Sequence, residues 1–301
     1  MRGNTDKREK PHTYLIDGHV IPAPALASGL YLVATPIGNL GDVTLRGLAA
    51  LASADIVACE DTRVTAVLLR RFGIKARLLA YHDHNAAKQR PKILDALAEG
   101  KAVALVSDAG TPLVSDPGYR LAGAVREAGH AVVAVPGASS VLAALVSSGL
   151  PTDAFLFAGF LPPKTVARRK RLAELATVPA TLVFFESAQR LAEALADMAE
   201  VFGRERGAAV TRELTKAFET VRQGSLGAIA EEFAGPPPKG EIVVVVGPPL
   251  EKAVGAAEAD EILTSLLADN PVGAAAAEAA AITGLPRRDL YRRALALKER
   301  R

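Results

Sequence analysis

The chain has 301 residues, 50% apolar and 23% charged, with one Cys, no Trp and a formal charge of +3. A chain of this length buries roughly three quarters of its unfolded surface, in one large core or two modest domains, and its composition excludes a disordered chain, a collagen and a disulfide scaffold. Residues 1–10 carry +2 and residues 286–301 carry +5, which leaves about −4 between them and excludes a uniformly basic, histone-like protein.

Read in chain order, residues 1–28 are rich in turn formers without a sustained period and are expected as a flexible N-terminal arm. GLYLVATPIG (29–38) is an apolar strand ended by Pro36 and Gly38. A helix over 44–54, a strand in ADIVACED (54–61) and a helix over 62–72 stopped by Gly73 follow. The alternation continues with a helix at 89–99, strand KAVALVSD (101–108), a helix at 119–128 and strand HAVVAVPG (130–137). Short Val, Leu and Ala strands without polar alternation predict a parallel sheet covered on both faces, hence an α/β fold.

The character changes near 149–164, where GLPTDAFLFAGFLPPK brings two aromatic strand fragments and a double proline. Strands ATLVFFES (180–187), GAAVTREL (207–214) and EIVVVVG (241–247), a helix at 188–201 and a short connection TKAFETVRQGS (215–225) predict a mixed sheet. Helical stretches at 260–270, 272–285 and 286–297 end the chain, the last two spaced like a helix-turn-helix. The expected domains are therefore residues 29–149, 150–250 and 251–301.

Lone Cys59 has no internal disulfide partner, and no Cys/His cluster has zinc spacing, so no metal is expected. MRGNTDKREK is not followed by an apolar segment and no apolar run reaches 18 residues; the expectation is a cytoplasmic protein with no membrane partner. No GxGxxG follows a strand, and Walker A, GxSxG and HExxH motifs are absent. Polar, Gly-rich segments instead close the predicted strands: ATPIGNLGDVT (34–44), ACEDTR (58–63) with YHDHN (81–85), SDAGTPLVSDPG (107–118) and VPGASS (135–140). Ligands of α/β sheets bind at such carboxyl ends. In SDAGTPLVSDPG, Gly110 allows positive φ while Pro112 and Pro117 fix theirs, making a rigid loop that either wraps a small ligand or serves as a tight crossover capped by Asp108. On charge alone, the cluster Lys164, Arg168, Arg169, Lys170 and Arg171 reads as a solvated helix face ahead of a set of phosphate contacts.

These segments, with GFLPPK, FFES and TRELTK in unbroken order over about residues 29–250, resemble the ribosomal RNA small subunit methyltransferase I family, ribose 2′-O-methyltransferases within the tetrapyrrole methylase superfamily. The resemblance implies transfer of a methyl group from S-adenosylmethionine to the 2′-oxygen of a cytidine in the decoding region of 16S rRNA. It implies two α/β halves with a cofactor cleft between them, a small C-terminal helical domain and a homodimer. By position it assigns cofactor contacts to Pro36; to Asp108, Gly110, Thr111, Pro112 and Ser115; to Pro136, Gly137, Ala138 and Ser139; and to Leu161, Glu186, Ser187, Thr211, Gly240, Glu241 and Ile242.

The ribose hydroxyl must lose a proton as its oxygen attacks, so a base is required. Glu60, Asp61, His82, Asp83, Glu186 and Glu213 are the candidates, led in order by Glu60, His82 and Glu213. Arg63, Lys164, Arg168, Arg169, Arg212, Lys216, Arg292 and Arg293 are candidates for RNA phosphates. After residue 270 the chain departs from the family's lysine-bearing pattern, its basic groups falling at Arg287, Arg288, Arg292 and Arg293. Two other readings stand beside this one, a tetrapyrrole-precursor methyltransferase and a non-catalytic ribosome-associated module. The basic clusters weigh against the first, and the Asp, Glu and Gly residues at strand ends against the second.

Overall fold

A β-hairpin, β1 (Thr13–Ile16) and β2 (His19–Pro22), stands where composition predicts a flexible arm. Asp17 and Gly18 supply the turn at φ 48° and 83°, the two positive values a type I′ hairpin turn demands. Buried Tyr14 packs the hairpin on the adjoining core, and Leu15 N–H donates to Phe72 O at 2.8 Å. This computed structural model describes residues 12–114, 119–250 and 256–299, so the first eleven residues of the arm lie outside the described ones.

Next come β3 (Gly29–Val33), α1 (Leu45–Ser53), β4 (Ile56–Cys59), α2 (Thr62–Arg71), β5 (Leu78–Ala80), α3 (Ala86–Ala98), β6 (Ala102–Val106), α4 (Tyr119–Glu127), β7 (Val132–Val135) and α5 (Ser140–Ser147). The five strands after the hairpin form one parallel sheet in the order β5-β4-β6-β3-β7. Alternate residues feed two cores: Tyr31, Val33, Ala104 and Val106 face one layer of helices, Leu30, Val103 and Leu105 the other. Thr44, Asp61 and Ser139 cap α1, α2 and α5 by accepting hydrogen bonds from Gly47, Arg63 and Leu142 N–H.

The second half runs β8 (Phe155–Phe160), α6 (Thr165–Leu175), β9 (Thr181–Glu186), α7 (Leu191–Phe202), β10 (Gly207–Arg212), β11 (Thr220–Ser225), α8 (Leu226–Glu232) and β12 (Ile242–Val246). Its sheet is mixed, in the order β11-β10-β12-β9-β8, with only β8 and β9 parallel. The segment expected as a plain connection thus contains β11, an edge strand; its polar TVRQGS hides the signal because little of it is buried. Helix α5 leaves the first sheet to pack on the second, where Ile37, Val141, Ala144 and Leu145 meet Val183, Ala209, Val243 and Val245.

Arg168 is corrected from phosphate contact to core residue. It is 1% exposed, with Nε donating to Asp197 Oδ2 at 2.6 Å and Nη2 reaching Glu193 at 3.3 Å on α7. Arg169 shares Asp197 and adds Glu200, so the basic face of α6 is largely neutralised by α7. Lys164 and Lys170 stay exposed. At the start of β10, buried Arg206 donates to Gly247 O at 2.7 Å and Ala176 O at 3.0 Å, with its guanidinium 4.7 Å from the Phe202 ring centre.

Residues 250–301 form a separate unit of α9 (Ala256–Asp269), α10 (Val272–Thr283) and α11 (Arg287–Glu299) around Leu263, Ala276, Ala279, Leu290 and Ala294. Gly284, at φ 68°, ends α10. Arg293 is bound to Asp260 (2.8 Å) and to Ala256 O, and Arg292 pairs with Asp289.

Asp197→Ala strands the buried Arg168 guanidinium and should lower unfolding stability by about 3–5 kcal/mol, measured by urea unfolding. Glu200→Ala, which removes an exposed partner of Arg169, should cost under about 1 kcal/mol.

Candidate active site

The loops after β3 and β6 are tied by a backbone bridge: Thr35 N–H donates to Gly110 O at 2.9 Å and Gly110 N–H to Thr35 O at 3.0 Å. Thr35 Oγ1 adds a bond to Ser107 O, and Thr111 Oγ1 reaches Ala138 O at 3.1 Å, drawing in the loop after β7. Gly110 sits at φ 83°, and a Cβ there would lie 3.1 Å from Ile37 Cγ2. Strain and space together demand glycine.

These loops face β9, β12 and the strand-preceding segment 237–241 across a cavity of about 890 Å³. Gly110, Thr111, Ser139, Glu186, Ser187, Gly240, Glu241 and Ile242 line it, from both halves. The other expected cofactor residues stand behind this wall. Ala138 holds Thr111, Thr211 donates to Val243 O, Leu161 is buried in the second core, and a Cβ on Gly137 would sit 3.0 Å from Ala34 Cβ. Asp108 turns away to accept Asp61 N–H at 3.0 Å. Pro36, Pro112 and Pro136 shape the loops without lining the cavity, and Ser115 lies outside the described residues. Phe185 and Leu214, inside the quoted FFES and TRELTK but assigned no role, line it too, as do Pro238 and Lys239, which no quoted motif contains; the run of three prolines before Lys239 is the signal that marks this strap.

Glu186 is buried and engaged on both oxygens, by Ser187 N–H at 2.7 Å and Arg190 Nη2 at 2.9 Å. Glu213 Oε1 accepts from Lys216 Nζ at 2.8 Å and Glu241 N–H at 3.0 Å. The Lys216 bond, then the Glu241 bond, hold Glu213 below the usual glutamate pKa, which makes it a weak proton acceptor. Lys216 also reaches Glu241 Oε2 at 3.0 Å, and its stem fills the place a Gly38 side chain would take, 2.5 Å from a built Cβ. It therefore bridges the halves instead of standing free for phosphate. Arg212 is likewise consumed, by Thr220 Oγ1, Lys239 O and Phe218 O.

At the ends of β4 and β5 the tautomer of His82 follows from its neighbour. Asn85 Oδ1 accepts His82 N–H at 3.0 Å and Nδ2 donates to Ala80 O at 3.1 Å, which orients the amide, so its second Nδ2 proton points to His82 Nε2 at 3.0 Å. The Nε2 lone pair is occupied, the neutral ring carries its proton on Nδ1, and Nδ1 is buried. Neither nitrogen is placed to take a proton from a substrate hydroxyl. Glu60 differs: loss of surrounding water, then repulsion from Asp108 and Asp83, pushes its carboxyl pKa up while it remains exposed. Arg63 is paired with Asp61 yet 89% exposed.

Residues 29–230 match the family model described as Tetrapyrrole (Corrin/Porphyrin) Methylases. The chain is 59% identical over 280 residues to the "Ribosomal RNA small subunit methyltransferase I" of Mesorhizobium japonicum, covering 93% of this chain and 95% of that protein. The chain belongs to the ribosomal RNA small subunit methyltransferase I family. Members from Erythrobacter litoralis (51% identity, 93% and 99% covered) and Escherichia coli O157:H7 (45%, 88% and 94%) are similar along most of their length. The family's RsmI C-terminal HTH domain model matches residues 253–298, so membership extends through the region where the lysine pattern departs. In fold the chain resembles the methyltransferase CobJ (TM-score 0.56, 22% identity, 76% and 97% covered). It also resembles the Thermus thermophilus uroporphyrin-III C-methyltransferase complexed with S-adenyl homocysteine (0.51, 20%, 73% and 97%). The two-half fold with a helical C-terminal domain expected for the family is borne out.

Because Glu213 has a folded pKa below its ordinary 4.5, its contribution to stability is full above that value and is lost as pH falls through the lower folded one. Urea midpoints measured from pH 6 down to pH 3 should therefore fall less steeply for Glu213→Gln than for wild type.

Proposed function

We propose that this chain transfers the methyl group of S-adenosylmethionine to the 2′-oxygen of a cytidine ribose in the decoding region of 16S rRNA, as a cytoplasmic homodimer. The observation that carries this reading is the 59% identity over 93% of the chain to a ribosomal RNA small subunit methyltransferase I. The homodimer rests on the family resemblance and the location on the expectation drawn from the sequence; no helix among the described residues is long and apolar enough to cross a membrane.

The cleft suits the cofactor. Its volume of about 890 Å³ falls in the range of small-molecule and cofactor sites. Ile37, Val114 and Leu214 offer apolar surface for an adenine, while Gly110, Thr111 and residues 240–242 bring backbone donors and acceptors to the wall. When bound, S-adenosylmethionine supplies an electrophilic methyl carbon on a sulfonium. The chain's part is to exclude water, align the ribose oxygen with that carbon and accept the hydroxyl proton as the oxygen–carbon bond forms. Glu60 takes that proton in this reading, since Glu213 is locked to Lys216 and the ring nitrogens of His82 are occupied or buried. Exposed Arg63 and Lys164 hold the flanking phosphates.

Glu60→Gln should lower turnover on small ribosomal subunits by about 10²–10⁴-fold while S-adenosylhomocysteine affinity stays within a few-fold. The wild-type rate should fall on acidification at a pH above the ordinary glutamate value of 4.5, because Glu60 must be ionised to accept the proton and its pKa is raised. Near-normal turnover in Glu60→Gln would remove it as the base. Mass spectrometry of rRNA digests from cells with and without the gene tests the reaction itself; an unchanged ribose-methylated cytidine would overturn it.

A further inference from the structure

Three charged side chains are found among the described residues lining the cavity: Glu186, Glu241 and Lys239. Both carboxylates have cationic partners of their own, Glu186 in Arg190 and Glu241 in Lys216, which it shares with Glu213. Among the described residues, no carboxylate stands within ion-pair distance of the Lys239 ammonium and no side-chain hydrogen bond holds it. Among the described residues, then, Lys239 is the one cation lining the cleft, and no carboxylate among them pairs with it.

The backbone beneath that cation is built to stay in place. Pro236, Pro237 and Pro238 fix their own φ on one side. On the other, Gly240 sits at φ 105° with no room for a Cβ, which would lie 2.5 Å from Glu213 Oε1. The Lys239 carbonyl accepts Arg212 Nη1 at 3.1 Å, and the same guanidinium holds Phe218 O at 3.2 Å and Thr220 Oγ1 at 3.3 Å. Arg212, whose sequence context suggests a phosphate contact, thus staples the strap from below, and only the Lys239 side chain is left to adjust.

We propose that Lys239 is an anion-binding residue of the cleft, pairing with an anionic oxygen group of a bound ligand, and that Arg212 is the positioning residue that presents it. This rests on the methyltransferase reading, under which two such groups reach the cleft: the carboxylate of the cofactor's amino-acid moiety and a phosphodiester of the RNA. Both are singly charged oxygen anions that lose water on entering a partly apolar site and need a cation there.

The test is Lys239→Gln, with Lys239→Arg as the charge-keeping control and Arg212→Lys as the positioning variant, on full-length folded protein. Calorimetry uses two probes, S-adenosylhomocysteine, which has the carboxylate, and 5′-methylthioadenosine, which lacks it. If the carboxylate is the partner, Lys239→Gln weakens S-adenosylhomocysteine by about tenfold or more and leaves methylthioadenosine unchanged. If a phosphodiester is the partner, both probes bind as in wild type, KM for small subunits rises with kcat little changed, and the logarithmic salt slope for single-stranded RNA falls by about 0.7. In either arm Lys239→Arg restores most of the loss, and Arg212→Lys moves the same readout as Lys239→Gln. Equal weakening of both probes would mark a collapsed strap, and unchanged values in all assays an idle surface lysine; either result overturns the proposal. Wild-type protein that takes up neither probe overturns the methyltransferase reading, and this inference with it, whereas wild-type binding matched by Lys239→Gln in every assay overturns the inference alone.

Discussion

Apolar contact between helix α5 and a sheet to which it is not connected by strand pairing holds the two halves face to face. Val141, Ala144 and Leu145, with Ile37, bury against Val183, Ala209, Val243 and Val245. Each fully buried Val, Leu or Ile side chain is worth about 1.5–3 kcal/mol relative to exposure. That seam sets the cleft's width. The α5 N-terminus, capped by Ser139, opens at the cavity on one side, and Ile242 and Val243 of β12 close it from the other. The Thr35–Gly110 bridge then ties the starts of the loops after β3 and β6 to each other through the chain's own backbone.

Charge is distributed by the same logic. Three of the six arginines named from sequence as phosphate contacts are committed to the fold: Arg168 to Asp197, Arg212 to two carbonyls and a hydroxyl, Arg293 to Asp260. Lys216 ties Glu213 and Glu241 while its stem packs at Gly38. The acidic residues near Glu60 work differently. They are close enough to raise its pKa, and Asp108 is held there by the Asp61 N–H it accepts. An ionisable group with a raised pKa beside fixed carboxylates suits proton acceptance better than one locked in an ion pair.

The parallel sheet was legible because burial on both faces leaves continuous Val, Leu and Ala runs, and the glycine-rich loops because positive φ and close packing require particular residues there. The signals that failed were local ones with distant causes. Nothing near Arg168 shows that Asp197, 29 residues on, will bury it. Edge strands β5 and β11 are too short or too polar to stand out. The hairpin was readable from Asp17-Gly18 between apolar residues, but the surrounding turn formers masked it. In the cleft, positional carry-over reached residues such as Thr211 and Leu161 that support the wall from behind. It missed Lys239, which the fold brings to the cavity on a strap lying outside the loops of the first half.

Arg206 gives the end of the methylase unit an unusual mechanical character. Its guanidinium grips Gly247 O, one residue past β12, and Ala176 O, one past α6. The partners are carbonyls, which do not titrate, and an arginine keeps its charge throughout the physiological range. A pull applied to the chain from residue 250 onward therefore meets an anchor at Gly247 before it can shear β12, whose opposite end lines the cleft. The strand that shapes the binding site is thereby held at the end remote from the cleft by a contact that does not change with pH.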